Sequence, residues 1–396
     1  MTATSDKARF YLEKSVPELK EYEQKKIFSK EEILSITRKR SDFEHKLNAR
    51  GSKPTDYARY VEYEMNLDLL RRKRVKRLGI KTAAHTGQRR IFFILTRATK
   101  KFHGDIALWV QYIEYARQQK AYKKLTQIFG DALRLHPANA DLWIYAAKYA
   151  LDEHADMTLA RTYMQRGLRF CKNSKLLWIQ YAKLELIYIT KIALRRQVLG
   201  LDQNSNESAK EEAIDDLNDD MIPLPRITAE DVSPSLGKDD DVDHGALQNL
   251  QAAPVLSGAI PMAIFDAAMK EFNNDPAFGH DFFDMVLQFE EIPRLAKILE
   301  KVVEKLLATS PASHHTRICH IRIPAAGINV TSSDFPRAFG GSLGRLKQYP
   351  LDSSLAQEMI KWLRPLMEIE TLDPALRTVV AATLRKSERA IQAPSR

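Results

Sequence analysis

The feature that most constrains this chain is a self-similar period: Trp109, Trp143 and Trp178 recur at spacings of 34 and 35 residues. The stretches they open read Trp109-x-x-Tyr112-x-x-Tyr115, Trp143-x-Tyr145 followed by Ala146, Ala147 and Tyr149, and Trp178-x-x-Tyr181-x-x-Leu184-Glu185. A second frame moves with the first. Leu95–Thr99, Phe129–Leu133 and Met164–Leu168 keep one offset ahead of the three tryptophans, and Phe43–Leu47 keeps it ahead of Tyr57. Tyr57-x-x-Tyr60-x-x-Tyr63-Glu64 then copies the Trp pattern with Tyr in the leading place. The longer interval from Tyr57 to Trp109 implies an insertion.

Large rings at i, i+3 and i+6 or i+7 share one face of a helix. A period near 34 holds two such helices and two turns. Neither helix can bury its stripe alone, so successive pairs must stack and share a core. The expected fold is all-α, an α-solenoid of antiparallel helix pairs. Turn chemistry agrees: His136-Pro137 and Asn139 end one helix, and Asp141, Asp105 and Ser174 stand where caps belong. Tyr57, Trp109, Tyr112, Trp143, Trp178 and Tyr181 are the expected repeat-core residues. Trp-x-x-Tyr-x-x-Leu-Glu, with a partner helix of Ile/Phe-x-x-Ala-Leu form and a Pro after it, resembles the half-a-TPR (HAT) repeat, which occurs in RNA-processing assemblies. Plain TPR would want Leu-Gly after the Trp, where this chain has Val110-Gln111 and Ile179-Gln180.

Length and charge narrow the class further. With 396 residues, the chain has room for several repeat units. A net charge of +10 points to an acidic partner, most simply RNA. The two cysteines, Cys171 and Cys319, are far apart and unpatterned, which argues against a disulfide framework and for a reducing compartment. No stretch approaches the ~20 apolar residues that span a bilayer. The opening Met1–Asp6 has no apolar signal core, so the expectation is a soluble protein that is not secreted.

A second resemblance lies near the N-terminus. Tyr11-Leu12-Glu13, Val16-Pro17-Glu18-Leu19 and Ile27-Phe28-Ser29-Lys30-Glu31-Glu32-Ile33 precede Arg38-Lys39-Arg40-Ser41-Asp42-Phe43-Glu44. Asp56-Tyr57-x-Arg59-Tyr60-Val61-Glu62-Tyr63-Glu64-x-Asn66-Leu67 follows. This order resembles the U-three-snoRNA-associated HAT-repeat subunits of the small-subunit processome, members of its UTP-B subcomplex, most closely over residues 7–200. The resemblance implies a nuclear and nucleolar assembly factor for the small ribosomal subunit, without catalysis. It implies as partners the other UTP-B subunits, largely β-propeller proteins, and the U-three snoRNA/pre-rRNA particle, with no cofactor, membrane or small-molecule substrate. Read from the residues themselves, Phe10, Leu12 and Val16 make a short apolar strip, Pro17 can open a helix, and Ser29-x-x-Glu32 has the form of a capping box. An N-terminal helix here would cap the repeats or dock on a neighbour.

The expected segments are 1–55, N-terminal docking or capping helices with a first half-repeat; 56–200, repeats with a basic insertion at 69–104; 201–257, an acidic linker; and 258–396, degenerate helical repeats. The basic insertion carries Arg71, Arg72, Lys73, Arg74, Lys76, Arg77, Arg89 and Arg90, with no acid between Asp68 and Asp105. It reads as a phosphate-binding patch, as a nucleolar address in Arg71–Arg77, or as a solvated face or acidic-protein contact, since Tyr60, Tyr63, Leu67 and Leu70 carry the helical stripe into it. Gly79 and Gly87 would bracket a loop. Reversing Arg71, Arg72, Arg74 and Arg77 to Glu is expected to weaken assembly while leaving the fold intact. From Asp202 to Asp243, acids face only Lys210, Arg226 and Lys238, and Pro223, Pro225 and Pro234 break helices. Such a stretch buries too little to offset chain entropy and should be disordered, with Glu207–Leu217 able to extend a helix.

After the insert, Ile264–Met269 and Phe283-x-x-Val286-x-x-Phe289-Glu290 restate the two helix patterns, and Leu295–Leu307 is amphipathic. Pro311 to Tyr349 is hard to read; Trp362 and Leu363 begin another pair ending near Ile391. Gly340-Gly341-Ser342-Leu343-Gly344 matches the nucleophile elbow in letters only, because no strand precedes it. His314, His315, Cys319 and His320 lack the paired spacing of a zinc site. No other catalytic fingerprint is present. The reading is a non-enzymatic scaffold of the small-subunit processome that serves maturation of small-subunit (18S) rRNA. Its rivals are a HAT scaffold of pre-mRNA splicing or 3′-end processing, and a sequence-selective RNA-binding module.

Overall fold

The computed structural model describes residues 2–80, 86–198, 258–289, 295–369 and 372–392. The acidic stretch at 201–257, with the helix expected at Glu207–Leu217, and Lys81 lie outside the described residues. Within them the structure is helical, without a strand. Two compact units are formed, Met1–Pro137 and Ala138–Arg396.

In the first unit, α1 (Thr2–Glu13) packs on α3 (Lys30–Asn48), and α2 (Val16–Gln24) packs beside α3. α4 (Pro54–Leu78) pairs with α5 (Thr86–Lys101), and α6 (Ile106–Gln118) pairs with α7 (Tyr122–Leu135); α5 also packs on α6. Short connections between packed neighbours make these pairs antiparallel. The expected capping box is present: the Glu32 amide donates to Ser29 Oγ, and the Ser29 amide donates to Glu32 Oε2. Asp105 caps α6 by accepting from the Ala107 amide. Pro17 sits in the first turn of α2. Phe10 and Val16 stay exposed, so the apolar strip read from the sequence is not what seats this region; Ala8, Leu19 and Tyr22 are buried instead.

The extra length between Tyr57 and Trp109 goes partly into helix. α4 runs 25 residues before Gly79 ends it in the left-handed region, at φ 64°. Gly87 lies in the first turn of α5, and a Cβ there would fall 2.2 Å from Asp68 Oδ1.

In the second unit, α8 (Ala140–His154) pairs with α9 (Met157–Phe170), and α10 (Lys175–Val198) packs on both. Asn139, not Asp141, caps α8, accepting from the Leu142 amide; Asp141 is one residue inside the helix, beside the same positive terminus. α10 packs in turn on α11 (Ala259–Glu271) and α12 (Pro276–Leu287), so the undescribed stretch separates two members of a packed pair. α13 (Leu295–Thr309) and α14 (His314–Arg322) follow on α12; α15 (Phe335–Leu346) packs on α14 and on the 3₁₀ turn Ile323–Ala325. The chain closes with the pair α16 (Ser353–Glu368) and α17 (Pro374–Gln392). Trp362 therefore lies within α16 rather than opening it.

The period is an equivalence of bonds. Trp109 Nε1 donates to the carbonyl of His103 at 3.0 Å, and Trp178 Nε1 donates to that of Lys172 at 2.9 Å, each six residues earlier. Tyr112 OH pairs with Thr96 Oγ1, and Tyr181 OH accepts from Gln165 Nε2, each 16 residues earlier. Arg40 holds Glu64 in a two-pronged pair at 2.7 and 2.8 Å, and Arg161 holds Glu185 at 2.8 and 2.8 Å, both across 24 residues. The Glu that closes the Tyr57 and Trp178 motifs is thus the anion that ties the partner helix in place. Trp143 is buried and stacks on Phe170 at 6.1 Å.

Candidate functional site

The basic insertion meets in space the carboxylates it lacks in sequence. Four helices converge on one buried network. Glu18 of α2 accepts from Tyr22 OH and from Arg90 of α5 at 3.0 Å, and lies 3.5 Å from Arg40 of α3. Arg40 in turn clamps Glu64 of α4 and is only 1% exposed. Burial by itself pushes the Glu18 carboxyl up, but Arg40 and Arg90 outweigh that and hold it below its ordinary value. Burial likewise opposes the Arg40 charge, and Glu64 and Glu18 overcome it. Beside this network Arg97 reaches both oxygens of Glu44 at 2.9 Å and lies 3.8 Å over the Tyr11 ring, which seats α1 on α5. Here burial wins, and the Glu44 carboxyl is raised.

The other cations divide into two groups. Arg71 is buried against Asp68 at 2.7 Å. Arg72 pairs with the second oxygen of Asp68 at 2.7 Å and donates to Gln119 at 3.2 Å. Arg74 donates to both oxygens of Glu32 at 2.7 Å and to the Ile27 carbonyl; its hydrogen bonds hold the Glu32 carboxyl down to about 2. These residues, with Arg90, bind the first unit together. Reversing Arg71 and Arg74 would strike the fold as well as any surface, so the four-site reversal cannot separate the two. Lys73, Lys76, Arg77 and Arg89 are exposed and make no ion pair among the described residues. Lys73, Lys76 and Arg77 share one helical face, beside exposed Leu69 and Leu70. Those four cations are what remains of the sequence-predicted patch as a surface. Tyr57, Trp109, Tyr112, Trp143 and Tyr181 are buried as expected, and Trp178 is partly so.

Glu18, Glu32, Glu44 and Glu64 were missed because each sits on a different helix from its cation; Asp68 instead pairs within its own helix, with Arg71 and Arg72. One signal was available: an Arg placed 24 residues before the closing Glu of a motif, at Arg40/Glu64 and Arg161/Glu185.

The nucleophile-elbow letters fall inside α15, where Ser342 is buried in a helix rather than set on a strand-to-helix turn. His314, His315, Cys319 and His320 lie on α14, and no group of metal-ligand character forms among the described residues. No helix there is long and apolar enough to cross a membrane.

Residues 12–97 match the family described as U3 small nucleolar RNA-associated protein 6. Every member of the Glu18–Arg40–Glu64–Arg90 network, and the Glu44–Arg97 pair, falls inside that span. The chain is 38% identical over 236 residues to the U3 small nucleolar RNA-associated protein 6 of Schizosaccharomyces pombe, covering 57% of this chain and 48% of the relative. It is 31% identical over 190 residues to the mouse homolog, covering 47% of this chain and 32% of that one. The Dictyostelium discoideum homolog is 27% identical over 328 residues, covering 79% of this chain and 52% of that one. The chain therefore spans about half the length of these relatives or less.

Proposed function

We propose that the chain is a non-catalytic scaffold subunit of the small-subunit processome, serving ribosome biogenesis and maturation of 18S rRNA in the nucleolus. The observation that carries this reading is the family match over residues 12–97, together with the similarity to the fission-yeast relative. The packed helix pairs are compatible with it, because stacked pairs offer long side-chain surfaces to several partners at once. In this reading the partners are other UTP-B subunits of β-propeller type and the U3 small nucleolar RNA/pre-rRNA particle. The exposed cations Lys73, Lys76, Arg77 and Arg89 are free to meet phosphate or acidic protein, by charge rather than base readout.

Recovery of the tagged chain from nuclear extract, with sequencing of the co-purified RNA, tests this directly. Enrichment of U3 small nucleolar RNA and pre-rRNA with β-propeller proteins is expected. Spliceosomal RNAs or messenger-RNA 3′-processing factors in their place would assign the chain to another assembly. Replacing Lys73, Lys76, Arg77 and Arg89 with Glu is expected to reduce particle recovery without lowering the melting temperature. Unchanged recovery would remove that face from the reading.

A further inference from the structure

The buried or half-buried arginines of α3, α4 and α5 have carboxylate partners: Arg40 with Glu64, Arg71 with Asp68, Arg74 with Glu32, Arg90 with Glu18 and Arg97 with Glu44. Lys124 of α7 departs from that pattern. It is half-buried, its Nζ lies 4.2 Å from the centroid of the Phe92 ring, and it makes no ion pair among the described residues. Burial alone pushes its ammonium below the ordinary lysine value. A half-buried cation with no anion beside it is only partly hydrated, and an incoming carboxylate would favour its charged form.

Lys124 opens on a groove of about 550 Å³ whose wall residues come mainly from α5 and α7, with Trp109 and Tyr112 of α6 among them. Lys100, exposed and without an ion pair among the described residues, lies on the α5 side. Ile128 and Leu135 add apolar wall from α7. The volume suits one or two bulky side chains. Single-stranded RNA would need open ring faces for its bases to stack on. Trp109 and Tyr112 offer none: they are 5% and 4% exposed, and their polar atoms are bonded to the His103 carbonyl and Thr96 Oγ1. The one acid in the lining, Asp131, is paired with Arg134 at 3.1 Å, so Lys100 and Lys124 leave the groove with a positive edge that fits a peptide carrying both a large apolar side chain and acids.

We propose that the groove between α5 and α7 is a docking site for an acidic segment of a partner protein, with a bulky apolar side chain entering beside the exposed Leu135 and flanking carboxylates meeting Lys124 and Lys100. This goes beyond the assembly reading and does not rest on it.

The test is fluorescence anisotropy on the full chain, with a fluorescein-labelled peptide in which glutamates flank a Leu-Trp pair. Saturable binding that weakens with salt is expected. Lys124→Met keeps the side-chain stem over Phe92 and removes the charge; it should weaken binding about tenfold or more, as loss of a charge-assisted hydrogen bond does. Lys124→Arg should restore most of the affinity, and Lys100→Glu should reduce it. Because Lys124 ties no carboxylate down, Lys124→Met should melt no lower than the parent chain. Absence of saturable binding to the parent chain, or equal affinity for Lys124→Met, would overturn the proposal. So would displacement of the peptide by oligouridylate or inorganic phosphate at matched concentration. Recovery of the ribonucleoprotein particle in the pull-down is read separately, so either idea can fail without the other.

Discussion

Arg161 and Glu185 show how much a single side chain carries. Glu185 is fully buried and both its oxygens are held by Arg161. Arg161→Met strands that carboxylate and should cost about 3–5 kcal/mol, whereas adding Glu185→Leu should recover most of it, because two apolar neighbours need no solvent. Urea midpoints of the single and double variants check this; equal loss in both would mean that packing rather than charge holds the site. Two glycines give a second contrast. A Cβ on Gly167 would stand 2.9 Å from the Trp143 ring, and one on Gly130 would meet nothing within 4 Å. Gly167→Ala should therefore destabilise by about 1–3 kcal/mol through overpacking. Gly130→Ala should stabilise α7 by about 0.5–1 kcal/mol through lost unfolded-state freedom. The same thermal melts read both, and a stable Gly167→Ala would show that the ring can move aside.

At the scale of the element, caps and cross-helix pairs share residues. Glu32 accepts from the Ser29 amide at the start of α3 and from Arg74 of α4. Ser29→Ala removes one arm of the box and should cost about 0.5–2 kcal/mol. Faster hydrogen exchange in the first turn of α3 should accompany that loss, and unaltered exchange would show that Arg74 suffices to hold it. The folded Glu32 carboxyl is held down to about 2, so its contribution is complete above the ordinary glutamate range and fades as pH falls toward that value. Legibility from sequence was uneven at this level. The Ser29–Glu32 box and the Asp105 cap could be read because their chemistry spans only a few residues. α15 could not: Gly340, Gly341 and Gly344 are poor helix formers, and the helix forms where Phe335 and Phe339 bury one face. A Cβ on Gly341 would meet Pro324 at 3.3 Å, a reason for a small residue that only packing reveals.

At the scale of the whole molecule, pH should act first on the second unit. Burial holds His280 and His315 below the ordinary imidazole value; Asp284, Asp281 and Glu358 pull the other way, and Arg322 beside His280 and His314 beside His315 push with burial. The unfolded imidazoles bind protons near pH ~6.5 while the folded ones resist, so stability should fall as pH drops through that value. Glu18, also held low, weakens the first unit only at lower pH, in the carboxylate range. Urea midpoints at about pH 7.5 and about pH 5.5 should differ, and His280→Gln with His315→Gln should flatten the difference. An unchanged slope in that double variant would place the proton uptake elsewhere.

From its order of residues alone this chain specifies stacked helix pairs, because rings spaced by one helical face and repeated every 34 or 35 residues can be buried together in no simpler way. Which of its cations remain available to a partner was decided only by the fold. Glu18 meets Arg90 across 72 residues and Glu32 meets Arg74 across 42, and Coulomb attraction depends on distance in space, not on separation along the chain.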